Sequence, residues 1–296
     1  MELRLQFESR VARNVVEYFP SFRGSALAAS MLFKLLPCSS TVALFVAGKE
    51  FKLDLKYRSH MAYVMAGPAW NEPGVVRFVV ETLKQGDMFF DLGSNWGFYA
   101  VLASVLVGDR GSVIAVEANP APYFYLNQLL HSARIINTLA INCALSDRSG
   151  ELVTLAKPWY RTDTGGFVNR KENRKKGEGI VTKTLDQLWT QLGKPRVRLV
   201  KIDTEGFEPK ILRGGADFMR EGVTDAAVIE VSEWTLARSC IVYTEIYEFM
   251  RESGFSYYYV AGENAYVTGG QYAQGTKYPV NCNVIFSKHK LNGTGS

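Results

Sequence analysis

Between Met88 and Glu117 the chain passes through a short apolar run, Met88-Phe89-Phe90-Asp91-Leu92, a helical stretch from Trp96 to Val107 closed by Gly108 and Gly111, and a second apolar run, Ser112 to Val116. Runs of this length that do not alternate with polar residues, and that stop at glycine or at a carboxylate, predict strands buried on both faces. The alternation continues. Pro120 to Ala133 is helical in pattern, Leu139 to Asn142 strand-like, Leu185 to Leu192 helical, Val197 to Ile202 a strand, Pro209 to Arg213 a short helix and Ala226 to Val231 a strand. Upstream, Val75, Val76, Val79, Val80 and Leu83 recur at helical spacing; downstream, Tyr243 to Ser253 reads as a helix and Phe255 to Val260 and Asn283 to Phe286 as two late strands. Strands that alternate with helices predict an α/β fold, a mostly parallel sheet with helices on both faces.

The 296 residues divide, on this pattern, into an N-terminal extension over 1–73, the α/β domain over 74–290 and a polar, disordered tail over 291–296. Within the extension, Ala26 to Phe51 is the most apolar stretch, but Lys34 and Pro37 interrupt it before the roughly 20 residues a membrane helix needs. It is expected to form a helix followed by a strand packed on the main domain. Cys38, Cys143, Cys240 and Cys282 are scattered without metal-ligand spacing, and no signal peptide precedes Arg4, Arg10 and Arg13, so a reducing cytoplasmic setting is expected. Much of the +5 charge falls between Arg161 and Lys183, where Arg170, Lys171, Arg174, Lys175 and Lys176 stand among glycines. That stretch reads as a mobile solvated loop, or as a lid over an anionic acceptor; nucleic acid is not expected.

In an open α/β sheet, ligands bind outside the carboxyl ends of the strands. Here those ends are polar: Asp91-Leu-Gly-Ser-Asn-Trp-Gly97, Glu117-Ala-Asn119, Asn142-Cys-Ala144 and Asp203-Thr-Glu205. Gly93 and Gly97 permit a tight turn with backbone N–H groups close to a ligand, and Glu117, twenty residues on, ends the next strand where a carboxylate accepts ribose hydroxyls. A nicotinamide dehydrogenase would need a second glycine where Asn95 stands. Asp91 before the turn would also repel a pyrophosphate, whereas it suits a cofactor that carries an ammonium and a sulfonium, S-adenosyl-L-methionine.

FFDLGSNWGFYA, VIAVEANP, NCALSD, TKTLDQL and VKIDTEGFEPKILRGG resemble the successive motifs of the FkbM family of methyltransferases, over about Gly86 to Val231. The resemblance implies a seven-stranded, Rossmann-like class I methyltransferase fold and O-methylation of hydroxyls on sugars or natural products. It assigns Asp91, Gly93, Ser94, Asn95 and Gly97 to the methionine end of the cofactor, Glu117 and Ala118 to the ribose, and Asn142 and Ala144 to the adenine side. Trp96 departs from the pattern, which has a β-branched aliphatic residue there.

On the acceptor side, Lys201 and Asp203 lie two apart and share a face if their strand is regular. Asp203 is the expected proton acceptor, with Lys201 beside it and Glu205 as a further catalytic candidate; burial would lower the lysine's pKa, which leaves open which group takes the proton. Glu230 closes another apolar run and suggests a sugar hydroxyl or, shared with Asp203, a magnesium ion. Glu208 reads equally as a helix cap and is set aside. Tyr257, Tyr258, Tyr259 and Trp234 read as core rather than as a sugar platform, and of three histidines only His60 remains a candidate base. A protein that binds the cofactor without turnover is the alternative, which the full set Asp91, Glu117, Lys201 and Asp203 disfavours.

Overall fold

The computed structural model describes residues 3–18, 20, 25–46, 48–66, 72–155, 167–168, 179–221, 223–237, 242–262, 266–272 and 277–291. The extension contains β1 (Leu3–Phe7), α1 (Arg10–Tyr18), α2 (Ser25–Leu35), β2 (Thr41–Val46), β3 (Lys49–Asp54) and α3 (Arg58–Ala66). Its strands form an antiparallel sheet in the order β1-β2-β3, where a helix followed by one strand was expected. The second strand exists because Gly48, at φ 82°, turns the chain back so that Val46 pairs with Lys49.

The remaining elements are α4 (Pro73–Thr82), β4 (Met88–Leu92), α5 (Phe98–Val107), β5 (Ser112–Val116), α6 (Pro120–Ser132), β6 (Thr138–Ile141), β7 (Ala144–Leu145), β8 (Leu152–Leu155), β9 (Phe167–Val168), β10 (Ile180–Lys183), α7 (Leu185–Gln191), β11 (Leu199–Ile202), α8 (Glu208–Arg213), α9 (Ala216–Arg220), β12 (Ala226–Val231), α10 (Glu233–Ala237), α11 (Thr244–Glu252), β13 (Tyr257–Ala261), β14 (Tyr266–Gln271) and β15 (Cys282–Ser287). The main sheet runs β14-β13-β15-β12-β11-β4-β5-β6. From β6 to β12 every pair is parallel, and β15 is inserted antiparallel between β12 and β13. Seven of these strands meet the expectation. The eighth, β14, is an edge strand folded back on β13, and its glycines and mixed polarity gave no apolar run to read.

The chain enters the sheet at β4, moves outward through β5 and β6, and returns to β11 on the other side of β4. Strand order reverses between β4 and β11, so the crevice at their carboxyl ends is where the topology leaves room for a ligand. Phe89, Val113, Leu199, Val228 and Ile285 face one apolar layer, which includes Phe33 and Leu53 of the extension as well as Val79 and Leu102. Phe90, Ile114, Val200, Ile202, Ile229 and Phe286 face the other, with Leu188, Ile211 and Met250. This two-sided burial is why the strands read as continuous apolar runs.

Other boundaries moved for local reasons. The helix expected from Trp96 begins at Phe98, because Gly97 at φ 100° is its N-cap. Most of the expected Arg161 to Lys183 loop lies outside the described residues, but Ile180–Lys183 is a strand paired with β7 and β8, and Phe167–Val168 pairs with β8. Of the expected tail, Leu291 is ordered, its N–H donating to the Tyr259 hydroxyl at 2.9 Å; residues 292–296 lie outside the described set. Tyr258 and Tyr259 are buried core residues, while Trp234 is exposed. Among the described residues no helix is long and apolar enough to cross a membrane.

Candidate functional site

The turn after β4 is held from inside. Gly93 and Ser94 donate their N–H groups to the Val116 carbonyl at 2.9 Å each, Gly97 to the Ser94 carbonyl at 2.9 Å, and the Ser94 hydroxyl to the Asp91 carbonyl at 2.7 Å. Gly93, Asn95 and Gly97 all have positive φ, at 91°, 50° and 100°. Glu117 closes the turn from the next strand: Oε2 accepts the Asn95 N–H at 2.8 Å and Oε1 the Asn119 N–H at 2.7 Å. Asn142 continues the row, its amide donating to the Glu117 and Ala118 carbonyls at 2.8 and 3.1 Å. Ala144 does not join it. Fully buried in β7 and paired with Thr182, it presents no side chain to this crevice.

Asp91 is 1% exposed, and its carboxylate oxygens have no donor at good hydrogen-bond geometry among the described residues, although the Ser94 hydroxyl and the Ala100 N–H lie near enough to favour its charged form; the Asn95 Oδ1 is also buried without a partner. Burial raises the Asp91 pKa to about 6, against the opposing charge of Lys201, and raises Glu117 to about 7 although two amides hold its charged form. A buried carboxylate without well-placed donors is costly by itself. Its cost is offset when a ligand brings an ammonium or hydroxyls to it.

Across the crevice, Lys201 is the parallel partner of Asp91, and its Nζ lies 2.6 Å from Asp203 Oδ2 and 4.8 Å from the centre of the Tyr99 ring. Desolvation alone would lower the Lys201 pKa, but the carboxylates of Asp203, Glu72 and Asp91 outweigh it and the net shift is upward. The expectation that burial would prepare this lysine as a base is corrected: it is a fixed ammonium, and Asp203, whose side chain is 27% exposed against 3% for Lys201, is the member of the pair open to the crevice.

Glu208 folds back onto the loop before α8, accepting the Thr204 N–H at 2.7 Å, the Thr204 hydroxyl at 3.0 Å and the Gly206 N–H at 3.0 Å; it ties that loop together and does not cap the helix, whose N-cap is Phe207. Glu205 stands in that loop at φ 55°. Extending the parallel register Ile202 to Ile229 by one residue sets Asp203 beside Glu230. The pair does not fit the expected magnesium ion, because Asp203 Oδ2 already sits on the Lys201 ammonium at 2.6 Å. Desolvation together with Asp203, Glu205 and Glu208 raises Glu230 to about 9. Among the described residues no three His, Cys, Asp or Glu side chains are grouped to hold a metal.

His60 is not at the crevice. It is buried behind Trp96, ring centres 5.1 Å apart, its Nδ1 accepting the Asp54 N–H at 3.1 Å, and burial lowers its pKa to about 4. Trp96 thus packs the turn against the extension. Three residues not singled out from the sequence reach the site: Tyr99, which lies within the first motif, and Glu72 and Asn283, which lie outside the motifs. The Tyr99 hydroxyl donates to Glu72 Oε2 at 2.9 Å, and Asn283 Nδ2 donates to Glu72 Oε1. A positive φ of 47° at Glu72, the N-cap of α4, directs it inward; no local sequence pattern announces that.

Asp91, Glu117, Glu208 and Glu230 all have folded-state pKa values above their ordinary ones, to about 6, 7, 7 and 9. Through these four groups the folded protein binds more protons than the unfolded chain between about pH 4 and pH 9, opposed by the lowered His60 only below about pH 6.5. The stability these groups contribute is full below the unfolded pKa and is lost as pH rises through each raised value. Thermal melts of the ligand-free protein are expected to show a higher midpoint near pH 6 than near pH 8.5; a midpoint that rises over that interval would contradict the assignment.

The Methyltransferase FkbM domain matches residues 86–257, more than half of the chain. Hexuronic acid methyltransferase AglP of Haloferax volcanii is 28% identical over 144 residues, 48% of this chain and 56% of AglP, so the match spans little more than half of that relative's length. Among solved structures, precorrin-6y C5,15-methyltransferase from Geobacter metallireducens aligns over 72% of this chain and 88% of its own at 17% identity, with a TM-score of 0.41. Aeropyrum pernix fibrillarin in complex with S-adenosyl-L-methionine aligns over 74% of each chain at 13% identity, also with a TM-score of 0.41. The family match begins two residues before β4, runs through β5, β11 and β12, and takes in every strand-end residue from Asp91 to Glu230. This chain belongs to the FkbM family of methyltransferases.

Proposed function

We propose that the protein is an S-adenosyl-L-methionine-dependent O-methyltransferase whose acceptor is a hydroxyl of a sugar, glycoside or related natural product, and that it works in the cytoplasm. The observation that carries the reading is Asp91: a buried carboxylate without a well-placed donor, one strand away from a half-buried carboxylate that is clamped by a buried ammonium. The first group asks for a cation and the second is placed to take a proton. When bound, the cofactor supplies an electrophilic methyl group on a sulfonium.

The chain's own residues do the rest. Asp91 holds the ammonium at the methionine end, Gly93, Ser94, Asn95 and Gly97 shape the turn around it, Glu117 accepts ribose hydroxyls with lone pairs its two amides leave free, and Ala118 and Asn142 border the adenine. Asp203 is placed to take the proton of the acceptor hydroxyl, which the bound cofactor would methylate, and Lys201 keeps Asp203 in place. A saccharide acceptor is supported by the named activity of AglP. The free thiols of Cys38, Cys143 and Cys282 agree with a reducing compartment.

Calorimetry tests the cofactor. S-adenosylmethionine and its demethylated product should both bind, NAD much more weakly, and Glu117→Ala should weaken the cofactor by about 1–3 kcal/mol through loss of a charged acceptor. Tight NAD binding without adenosylmethionine binding would reverse the assignment.

A further inference from the structure

Glu72 and Asn283 lie outside the matched segment 86–257, on opposite flanks of the chain, yet they meet at the acceptor side of the crevice. Asn283 on β15 is the direct antiparallel partner of Glu230 on β12, so the two side chains share one face of the sheet. Glu72 joins this pair to the Lys201–Asp203 clamp through the Tyr99 hydroxyl, on whose ring the ammonium rests. Two oxygens in this connected row are buried without a donor among the described residues, Asn283 Oδ1 and Glu230 Oε2. The left-handed backbone of Glu72 is a conformation a glutamate adopts at a cost, and it is kept where it aims the carboxylate into the row.

The Asn283 Oδ1 calls for a hydroxyl or another donor, and the Glu230 carboxyl, protonated at neutral pH, can exchange hydrogen bonds with a hydroxyl in either direction. A carboxylate on the acceptor would offer only acceptor oxygens, and would meet Glu72, Asp203 and Glu205 with Lys201 as the compensating cation, already paired to Asp203. Resting on the O-methyltransferase reading above, we propose that Glu72, Asn283 and Glu230 form an acceptor-recognition wall that selects an uncharged polyhydroxyl ring and disfavours the corresponding uronate. Asn283 and Glu230 bind hydroxyls next to the one that is methylated, and Glu72 orients Asn283 while it repels a negative acceptor. The specificity would then differ from that named for AglP, and residues beyond the family motifs would set it.

The test is a set of paired acceptors, the methyl glycosides of glucose, galactose and mannose against their uronates, assayed with S-adenosylmethionine on the full chain. Neutral members are expected to exceed their uronates by about tenfold or more in kcat/KM. Glu72→Gln, which keeps shape and removes charge, should narrow that ratio severalfold. Asn283→Ala should raise the KM of the neutral acceptor by about fivefold or more with kcat and cofactor affinity nearly unchanged, a split that general loss of structure would not produce. If Asn283→Ala fails to fold, Asn283→Asp keeps the shape, and a widened preference for the neutral member is expected. Uronates turned over as well as or better than their partners, or variants that leave both ratio and KM unchanged, overturn the wall while leaving the O-methyltransferase reading intact. Cofactor binding without turnover of either member of any pair removes that reading, and this inference with it.

Discussion

Gly93→Ala is expected to abolish measurable cofactor binding and to lower the melting midpoint clearly. At φ 91° the residue is in a region that costs an L side chain about 1–2 kcal/mol by itself. The larger effect is steric: a Cβ on Gly93 would lie 1.8 Å from the Asp203 carbonyl oxygen and 2.8 Å from its carbonyl carbon. Both are backbone atoms of the neighbouring strand end, fixed by the Asp203 N–H donating to the Leu92 carbonyl at 2.9 Å. They cannot rotate aside, so β4 and β11 must part at the crevice. The combined cost is on the order of 3 kcal/mol or more, over a hundredfold in affinity if it falls on the bound state. Gly150→Ala is the control. Its φ is 82° but nothing lies within 4 Å of an added Cβ, so only the conformational cost remains and cofactor affinity should be unchanged. Calorimetry and melts of the two variants decide the matter; Gly93→Ala with near-normal affinity would mean that the turn is not where the cofactor lies.

The second large effect is expected at the clamp. Asp203→Asn should lower kcat by about a hundredfold or more with cofactor affinity largely retained, because the amide cannot take the acceptor's proton. Lys201→Met should lower kcat similarly for a different reason: Lys201 is a buried ammonium held by three carboxylates, and its removal leaves Asp203 and Asp91 facing one another without a compensating charge. The two can be told apart. Asp203→Asn should leave Lys201 and the fold in place and affect turnover alone, whereas Lys201→Met, which leaves buried carboxylates without a counter-charge, should also lower the melting midpoint. If both variants keep near-normal kcat on an acceptor that the wild-type protein methylates, the proton is taken elsewhere, and Glu205 is the next group to replace.

The two carboxylate rows differ in how far local pattern could identify them. Asp91, Gly93, Gly97 and Glu117 were legible because each belongs to a short-range device: a strand end, a turn that needs positive φ, and a second strand end at βαβ spacing. The seven-strand α/β sheet was legible for the same kind of reason, since two-sided burial leaves continuous apolar runs at Phe89 to Leu92, Ser112 to Val116 and Ala226 to Val231. The strand at Ala144 was not legible, because a two-residue strand in a second, small sheet has too short a pattern to separate it from a loop.

What sequence alone determined is therefore the fold, the turn after β4 and the family, all properties of contiguous segments whose periodicity and spacing are set by backbone geometry. Tertiary structure alone decided the charge states and the acceptor side. Lys201 becomes a fixed ammonium rather than a base because Asp203, two residues on, is joined by Glu72, from a segment 129 residues earlier, and by Asp91 on the neighbouring strand. Asn283 enters the site because β15 runs antiparallel beside β12 and sets it opposite Glu230. Desolvation and Coulomb interaction act through space between groups brought together from distant parts of the chain, so no reading along the chain can contain them.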